Sequence, residues 1–386
     1  MKKSLLALAV LSAIAGSAAA QTSITMYGIA DVGFVRESGN PAGPVSKLTS
    51  GVTAGSRIGF RGVEDLGGGM AALFTMETGI LMDTGGNAQQ AVGPKSRAGL
   101  PPNPSGNAFA RQTFVGLKSN AGTLTMGRQY NPYFYSLYAV DPFGTGHEGN
   151  SGNVMPLTAS NGRSDNSIMY VSPVVSGFKG ELLYGFGEQA GSTHAKSAMS
   201  AAVSYANGPL LIRLATFRGN TDTIADPAAT PPRAATSVPV TRNNILGAVY
   251  DFKVVKLSAA YATIKGPRPF LYAQDIVGFY GPTPYTAFNP PKSTDVRDFL
   301  LGATIPAGPG NILASYIRHK DRTATNQNAT QMAIGYEYYL SKRTVWYTDY
   351  SRIRNDNGAG FTVGNAGDVT AGSGDRGFAT GLRHTF

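Results

Sequence analysis

The end of the chain carries the feature that most restricts its fold. Residues 378–386 alternate in the manner of a β-strand, and the last residue, Phe386, is aromatic. Chain ends are usually frayed and polar. A strand pattern that runs to the terminal carboxylate therefore predicts that the last strand is paired, and that it pairs with the first strand to close the sheet. Closure matters most inside a lipid bilayer, where no water can satisfy an open sheet edge.

The beginning of the chain predicts export. Lysines occupy positions 2–3, an apolar stretch follows over residues 5–14, and alanines at 18 and 20 form a small-x-small cleavage pattern. These features are typical of a cleaved signal peptide over residues 1–20, with the mature chain starting at Gln21. A retained anchor is the alternative, but the apolar stretch falls short of the ~20 residues that a spanning helix needs.

Composition allows a transmembrane barrel and disfavours several other classes. The chain has no cysteine, a mean hydropathy of −0.10 and a formal charge of +10, of which residues 1–20 contribute +2. Only alternate residues of a barrel strand face lipid, so average hydropathy can stay low. The cations are spread along the chain without a basic run interleaved with aromatic residues, which predicts no nucleic-acid partner.

Alternating runs recur through the mature chain and predict sixteen strands. Long polar connections alternate with short turns, as in an outer-membrane barrel with periplasmic turns and extracellular loops. The predicted strands are 24–35, 56–64, 70–78, 110–118, 123–129, 166–173, 178–187, 197–205, 210–218, 242–251, 256–264, 296–305, 311–319, 331–340, 343–352 and 376–386. The predicted long loops are 36–55, 79–109, 130–165, 188–196, 219–241, 265–295, 320–330 and 353–375.

The two faces of the strands predict an inside-out arrangement. In residues 331–340, Met332 and Ile334 share one face, whereas Gln331 and Glu337 share the other. About sixteen strands enclose a lumen too wide for side chains to fill, so we expect a wet, polar interior and an apolar exterior. The predicted fold class is all-β, a 16-stranded antiparallel transmembrane β-barrel that occupies residues 21–386 as one domain.

Several segments together resemble the general porins of Gram-negative outer membranes, most closely the trimeric beta-proteobacterial type. The resemblance spans the mature chain and rests on segments 26–31, 56–67, 111–118, 127–130, 340–344 and 381–386. It implies a homotrimer in the outer membrane, in contact with lipid and lipopolysaccharide, whose water-filled pores pass small hydrophilic solutes and ions by diffusion. It also implies that Phe386 is part of the assembly signal.

The resemblance further implies where the pore narrows. In porins the third long loop, here 130–165, folds inward and sets acids opposite a ladder of arginines on the wall. In this chain five wall arginines against two or three loop acids predict a mild anion preference. The common porin loop motif Pro-Glu-Phe-Gly-Gly is present here only as Pro142-Phe143-Gly144, with no acid between proline and phenylalanine. The matching constriction residues are Arg57, Arg61, Arg111, Arg128 and Arg163 on the wall, with Asp141 and Glu148 on the loop.

Three other functions stay open at the level of sequence. A substrate-selective channel on the same barrel would show aromatic tracks in its lumen. An outer-membrane enzyme would need a Ser/His/acid set, which the sequence does not assemble, and a soluble secreted β protein would alternate with its apolar face inward. Residues 144–149 match a dinucleotide fingerprint as text but lack the βαβ frame. We therefore expect no catalytic residue, no cofactor and no metal site.

Overall fold

The computed structural model describes residues 23–39, 43–88, 108–155, 162–220, 241–267, 293–364 and 374–386. The predicted signal segment and much of the predicted long loops lie outside them. No helix in the described part of the chain is long and apolar enough to cross a membrane. The strands are β1 (Ser23–Ser38), β2 (Val45–Ser50), β3 (Arg57–Gly67), β4 (Met70–Gly79), β5 (Gln112–Ser119), β6 (Gly122–Tyr130), β7 (Arg163–Val171), β8 (Phe178–Gly185), β9 (Ala198–Asn207), β10 (Leu210–Gly219), β11 (Thr241–Asp251), β12 (Lys256–Pro267), β13 (Ser293–Ala307), β14 (Gly310–Asp321), β15 (Ala329–Tyr339), β16 (Thr344–Asn355) and β17 (Arg376–Thr385).

The sheet is a closed antiparallel barrel, which confirms the predicted fold class. From β3 onward each strand pairs with the next along the chain, and β1 pairs with β17 from Ile29↔Thr385 to Ser38↔Arg376. The chain end completes the seam, because the Gly28 amide donates to the Phe386 carbonyl at 3.0 Å and the Phe386 amide donates back at 3.2 Å. The last strand thus leaves no open edge, as its alternation indicated.

Two strands, β2 and β3, together occupy one strand position of the barrel wall, next to β1. The first half of β1 pairs with β3 and its second half pairs with β2, so residues 51–56 interrupt one barrel strand. The Asp31 carboxylate holds this break inward by accepting hydrogen bonds from the Thr53 amide, the Thr53 hydroxyl and the Ala54 amide at 2.6–2.9 Å. The prediction of residues 36–55 as loop throughout is therefore wrong over β2.

The outer face of the barrel is apolar, as predicted. Met332 and Ile334 on β15 are 59% and 58% exposed, whereas Gln331 on the inner face of the same strand is fully buried. Leu214 on β10 likewise points out and is 55% exposed, while its neighbour Ala215 is buried. A continuous surface of this kind needs lipid around it.

The inner face departs from the prediction of a wet, polar lumen. Along β9–β16 many inward side chains are small or apolar and pack into one buried cluster with a helix from residues 130–165 and with residues 359–363. The prediction holds only in part for this half, because an inserted segment fills space that strands alone would leave open, while polar side chains such as Arg213, Asp298 and Asp349 lie on the same inner face. The wall members of the cluster are Ala202, Ala215, Phe217, Ile245, Ala260, Ala262, Leu300, Ile317, Ala329 and Ile353.

The inserted segment contains helix α1 (Pro132–Val140) and a short 3₁₀ turn (Ser151–Asn153). Asn131 caps the helix by accepting from the Phe134 amide at 2.9 Å, and Pro132 occupies the first helical position, where its missing N–H costs nothing. The helix packs against β8–β12 on the inside of the barrel. Its buried face carries Tyr133, Leu137 and Val140, which join the apolar cluster.

Candidate pore constriction

Two wall arginines meet at one carboxylate inside the barrel. Glu77 on β4 is buried, and its Oε1 lies 2.7 Å from Arg111 Nε and 3.8 Å from Arg57 Nη1. Arg57 begins β3 and Arg111 directly precedes β5, the strands on either side of β4. A carboxylate between two guanidinium groups reduces their mutual repulsion and fixes their positions.

A third arginine joins them through a phenol. The Tyr130 hydroxyl accepts a hydrogen bond from Arg111 Nη2 at 2.9 Å and another from Arg163 Nη2. The Arg163 guanidinium also lies 4.3 Å from the centre of the Tyr130 ring, a cation–π geometry. Glu77 and Tyr130 thus bring Arg57, Arg111 and Arg163 together, and neither of these two organising residues was among the sequence candidates.

The other two candidate arginines lie beside this group. Arg61 lies over the Tyr27 ring at 5.3 Å, and the Tyr27 hydroxyl donates to Glu77 Oε2 at 3.2 Å. Arg128 instead forms an ion pair with Asp165 on β7, whose side chain is 62% exposed. The structure therefore links Arg61 to the group through Tyr27 and gives Arg128 a partner of its own.

The two candidate loop acids are buried in local packing. The Asp141 carboxylate accepts from the amides of Phe143, Thr145 and Ser151 at 2.8–3.1 Å and so shapes the turn after α1. Burial raises the pKa of Asp141, although these hydrogen bonds act in the opposite direction. Glu148 is fully buried, and its carboxylate lies against the backbone of Gly377 on β17.

One histidine joins the inserted segment to strands β15 and β16 of the barrel wall. His147 Nδ1 lies 3.1 Å from Asp349 Oδ2 on β16, and Nε2 lies 3.7 Å from Glu337 Oε1 on β15. Burial lowers the pKa of His147, but the charge and hydrogen bond of Asp349, with help from Glu337, outweigh it and raise the pKa to about 9. The sequence showed His147 only as one of four scattered histidines.

The face of α1 opposite its buried face is aromatic. The Tyr130 and Phe134 rings stack with centroids 4.3 Å apart, and Phe134 stacks on Tyr138 at 6.1 Å. Tyr138 is 53% exposed, and the ring stack connects it through Phe134 to Tyr130, whose hydroxyl accepts from Arg111 and Arg163. We call Tyr130, Phe134 and Tyr138 the aromatic track. Phe134 and Tyr138 are four residues apart and therefore lie on one face of α1, which was the signal in the sequence. Tyr130 is the last residue of β6 and joins the track by stacking on Phe134.

The arrangement is a positively charged wall beside an aromatic loop surface. Three guanidinium groups (Arg57, Arg111 and Arg163) against the single carboxylate of Glu77 leave a net charge of +2 within this group of four. Arginine suits such a wall because it stays charged and its planar fork is rigid. Charge of one sign at a narrow, wet passage raises the local concentration of the opposite ion.

Comparison with known proteins identifies the family of this closed barrel. The family model described as Gram-negative porin matches residues 7–358. The chain belongs to the Gram-negative porins. This porin is 32% identical to outer membrane porin protein 32 of Delftia acidovorans over the whole of both chains. It is 31% identical to an outer membrane porin protein of Bordetella pertussis, with 92% of this chain and 95% of the relative covered.

A solved structure gives the same result. The anion-selective porin from Comamonas acidovorans superposes with a TM-score of 0.71 at 25% identity, and the match covers 95% of this porin and 100% of that chain. The resemblance stated from sequence motifs is thus confirmed, and the porin is an outer-membrane channel. The family and its matched members are channels rather than enzymes.

Proposed function

We propose that this porin passes small hydrophilic solutes and ions by diffusion and mildly prefers anions. The observation that carries the proposal is the convergence of Arg57, Arg111 and Arg163 on Glu77 and Tyr130, which leaves excess positive charge at the inserted segment. Arg61 extends this wall, and Arg128 with Asp165 borders it. The similarity to the anion-selective porin from Comamonas acidovorans supports the same preference.

We assign the two loop acids, Asp141 and Glu148, a structural role in the constriction. Asp141 shapes the turn after α1, and Glu148 seats the segment against β17, so both act by holding the loop inside the barrel. The proposal also includes removal of residues 1–20, a homotrimeric assembly in contact with outer-membrane lipid and lipopolysaccharide, and a role for Phe386 in assembly. The Phe386 ring packs beside Gly28 at the seam, which supports that role.

The reversal potential across a salt gradient tests the anion preference. Arg111→Ala removes one of three cations and lowers the local net charge from +2 to +1. We expect the anion-to-cation permeability ratio to fall by roughly two- to fivefold, because a unit charge near a wet passage contributes up to about 1 kcal/mol. The measurement is made on single trimers in planar bilayers with potassium chloride.

Arg343→Ala is the matched control, because Arg343 is exposed in the short turn between β15 and β16 and the variant loses the same charge. Its reversal potential should equal that of wild type. An unchanged potential in Arg111→Ala, with the control also unchanged, would contradict the assignment of Arg111 to the pore wall.

The aromatic track favours a second candidate function, a channel selective for organic anions that carry a flat apolar group. Tyr138 offers an exposed ring at the end of the stack that leads to Tyr130 and its two arginines, so one ligand could stack on the ring while its carboxylate meets an arginine. We expect benzoate to reduce chloride conductance in a saturable manner. Acetate, which has the charge without the ring, should compete at least about tenfold more weakly.

Tyr138→Ala isolates the ring. Stacking of a planar group on an aromatic side chain is worth roughly 1–3 kcal/mol, so we expect the half-saturating benzoate concentration to rise about tenfold and that of acetate to stay unchanged. Tyr170→Ala, on the lipid-facing side of β7, serves as control. Equal inhibition by benzoate in wild type and Tyr138→Ala would show that the ring does not bind the solute.

A further inference from the structure

Residues 51–56, between β2 and β3, leave the barrel wall and pack inside the barrel, and we call them the inner turn. β1 pairs with β2 on one side of Asp31 and with β3 on the other, so this residue faces the break in the ladder. The inner turn is firmly packed, since Val52, Thr53 and Ser56 are at most 5% exposed. A break of this kind needs other hydrogen bonds to satisfy its backbone.

Asp31 is the residue that holds the inner turn. Its side chain is fully buried, Oδ2 accepts the three hydrogen bonds from the middle of the turn described above, and Oδ1 accepts from the Tyr347 hydroxyl at 2.7 Å. Its backbone carbonyl accepts from the Gly51 amide at 2.8 Å and from the Ser56 hydroxyl at 2.8 Å. Both ends and the middle of the turn are therefore tied to one residue, whose carboxylate is fixed by charge-assisted hydrogen bonds.

The end of the inner turn lies against the positive wall. Arg57 directly follows the turn, and a β-carbon added at Gly55 would lie 2.8 Å from Arg111 Nη1. Among the described residues, apart from the chain neighbours of Gly55, only Arg111 has atoms within 4 Å of that position. The φ of Gly55 lies outside the left-handed region, so the backbone does not require glycine. What glycine provides here is space, and the guanidinium occupies it.

The middle of the inner turn lies against the inserted segment. The His147 amide donates to the Val52 carbonyl at 2.6 Å. The Thr53 carbonyl oxygen occupies the space that a β-carbon of Gly146 would need. The inner turn thus contacts both sides of the constriction, the arginines of the wall and the tip of the inserted segment. A shift of the turn would move both sides.

We propose that Gly55 is a specificity-determining residue of the pore, and that Asp31 is the positioning residue that holds it beside Arg111. The inference rests on the proposed function, because it takes Arg111 as a source of anion preference. Glu77 holds the Arg111 guanidinium at Nε and Tyr130 holds it at Nη2, while Gly55 borders Nη1. A side chain at position 55 would displace the guanidinium from the point at which its charge acts on a passing anion.

The reversal potential of Gly55→Ala across a salt gradient tests the role of Gly55. The added methyl group comes too close to Arg111 Nη1, and the end of a flexible side chain yields more easily than the backbone. We expect the anion-to-cation permeability ratio to fall at least about twofold, although no charge is lost. Gly180→Ala on β8 is the matched control, because a β-carbon there would lie at an ordinary contact distance of 3.7 Å from Ser172 Oγ. Its permeability ratio should equal that of wild type.

A double variant shows whether Gly55 acts through Arg111. In the Arg111→Ala background no guanidinium remains to be displaced, so Gly55→Ala should change the permeability ratio by less than about 1.2-fold. A fall of the same size in both backgrounds, or no fall in Gly55→Ala alone, would overturn the assignment of Gly55. Failure of the proposed function looks different, because Arg111→Ala itself would then leave the ratio unchanged.

Two substitutions of Asp31 separate position from charge. Asp31→Asn and Asp31→Ala both lose one negative charge, which by itself raises anion preference. Asn keeps an oxygen that can accept from Thr53 and Ala54, so we expect the permeability ratio of Asp31→Asn to rise by less than about twofold. Ala releases the inner turn, so the ratio of Asp31→Ala should fall at least as far as that of Gly55→Ala.

A rise in Asp31→Ala equal to that in Asp31→Asn would overturn the positioning role of Asp31. Gly55→Ala leaves the Asp31 carboxylate and its hydrogen bonds in place, so it tests the inner turn even where Asp31→Ala does not assemble into trimers.

Discussion

Glu77→Gln should destabilise the trimer and increase its anion preference together. The substitution keeps the shape of the side chain but leaves Arg57 and Arg111 without their shared carboxylate, and it raises the local net charge from +2 to +3. Breaking a buried ion pair by removing one partner costs about 3–5 kcal/mol. We therefore expect a lower thermal unfolding midpoint in detergent and a permeability ratio that shifts about fivefold further toward anions.

Glu64→Gln is the matched control, because Glu64 is exposed on the neighbouring strand β3 and the variant loses the same charge. It should leave both readouts unchanged. The decisive comparison is the sign of the shift in reversal potential, which should be opposite in Glu77→Gln and Arg111→Ala. A shift of the same sign in both variants would mean that distortion of the loop, and not fixed charge, sets the selectivity.

Alkaline pH should loosen the tip of the inserted segment. The pKa of His147 is raised to about 9 from its ordinary value of 6.5, so its protonated form is the one that the fold stabilises. This contribution is fully present below pH 6.5 and is lost as pH rises through about 9. Its size is roughly 3 kcal/mol, the product of the shift and 1.36 kcal/mol per unit. The unfolding midpoint should therefore fall between pH 6.5 and pH 10.

The groups that face His147 define the control. Asp349 and Glu337 lie against its two ring nitrogens, the rings of Phe143 and Tyr347 enclose it, and Arg383 Nη2 lies 3.2 Å from Glu337 Oε1. His147→Gln keeps a polar group but cannot gain a charge, so its midpoint should be lower at pH 6.5 and nearly level up to pH 10. Identical slopes in both proteins would show that His147 is not charged at neutral pH.

The barrel itself could be predicted because its signals are local. The alternation of residues 331–340 fixes which face meets lipid, and the terminal pattern ending at Phe386 demands a partner strand. The break at residues 51–56 escaped prediction because it depends on Asp31, a residue 22 positions away from Thr53, whose carboxylate collects the hydrogen bonds of the inward turn. A hydrogen bond to a side chain so distant in the sequence produces no periodic residue pattern from which it could be predicted.

The site could be predicted only in part, because several of its contacts join residues that are distant in the sequence. Arg57, Arg111 and Arg163 follow from the family resemblance, whereas Glu77 and Tyr130 owe their roles to neighbours in space that only the register reveals. The loop acids show the opposite case, since Asp141 has the residue type expected of a pore acid but is used by the backbone of its own turn. Charge alone does not say whether a carboxylate meets solvent or protein.

The position of α1 has a consequence for assembly. The helix precedes β7 in the chain, yet it packs against β8–β12, which are synthesised later. The buried face of the helix is therefore covered only when these five later strands are present. The residues that narrow the passage thus also tie five strands of the wall to a segment that precedes them in the chain.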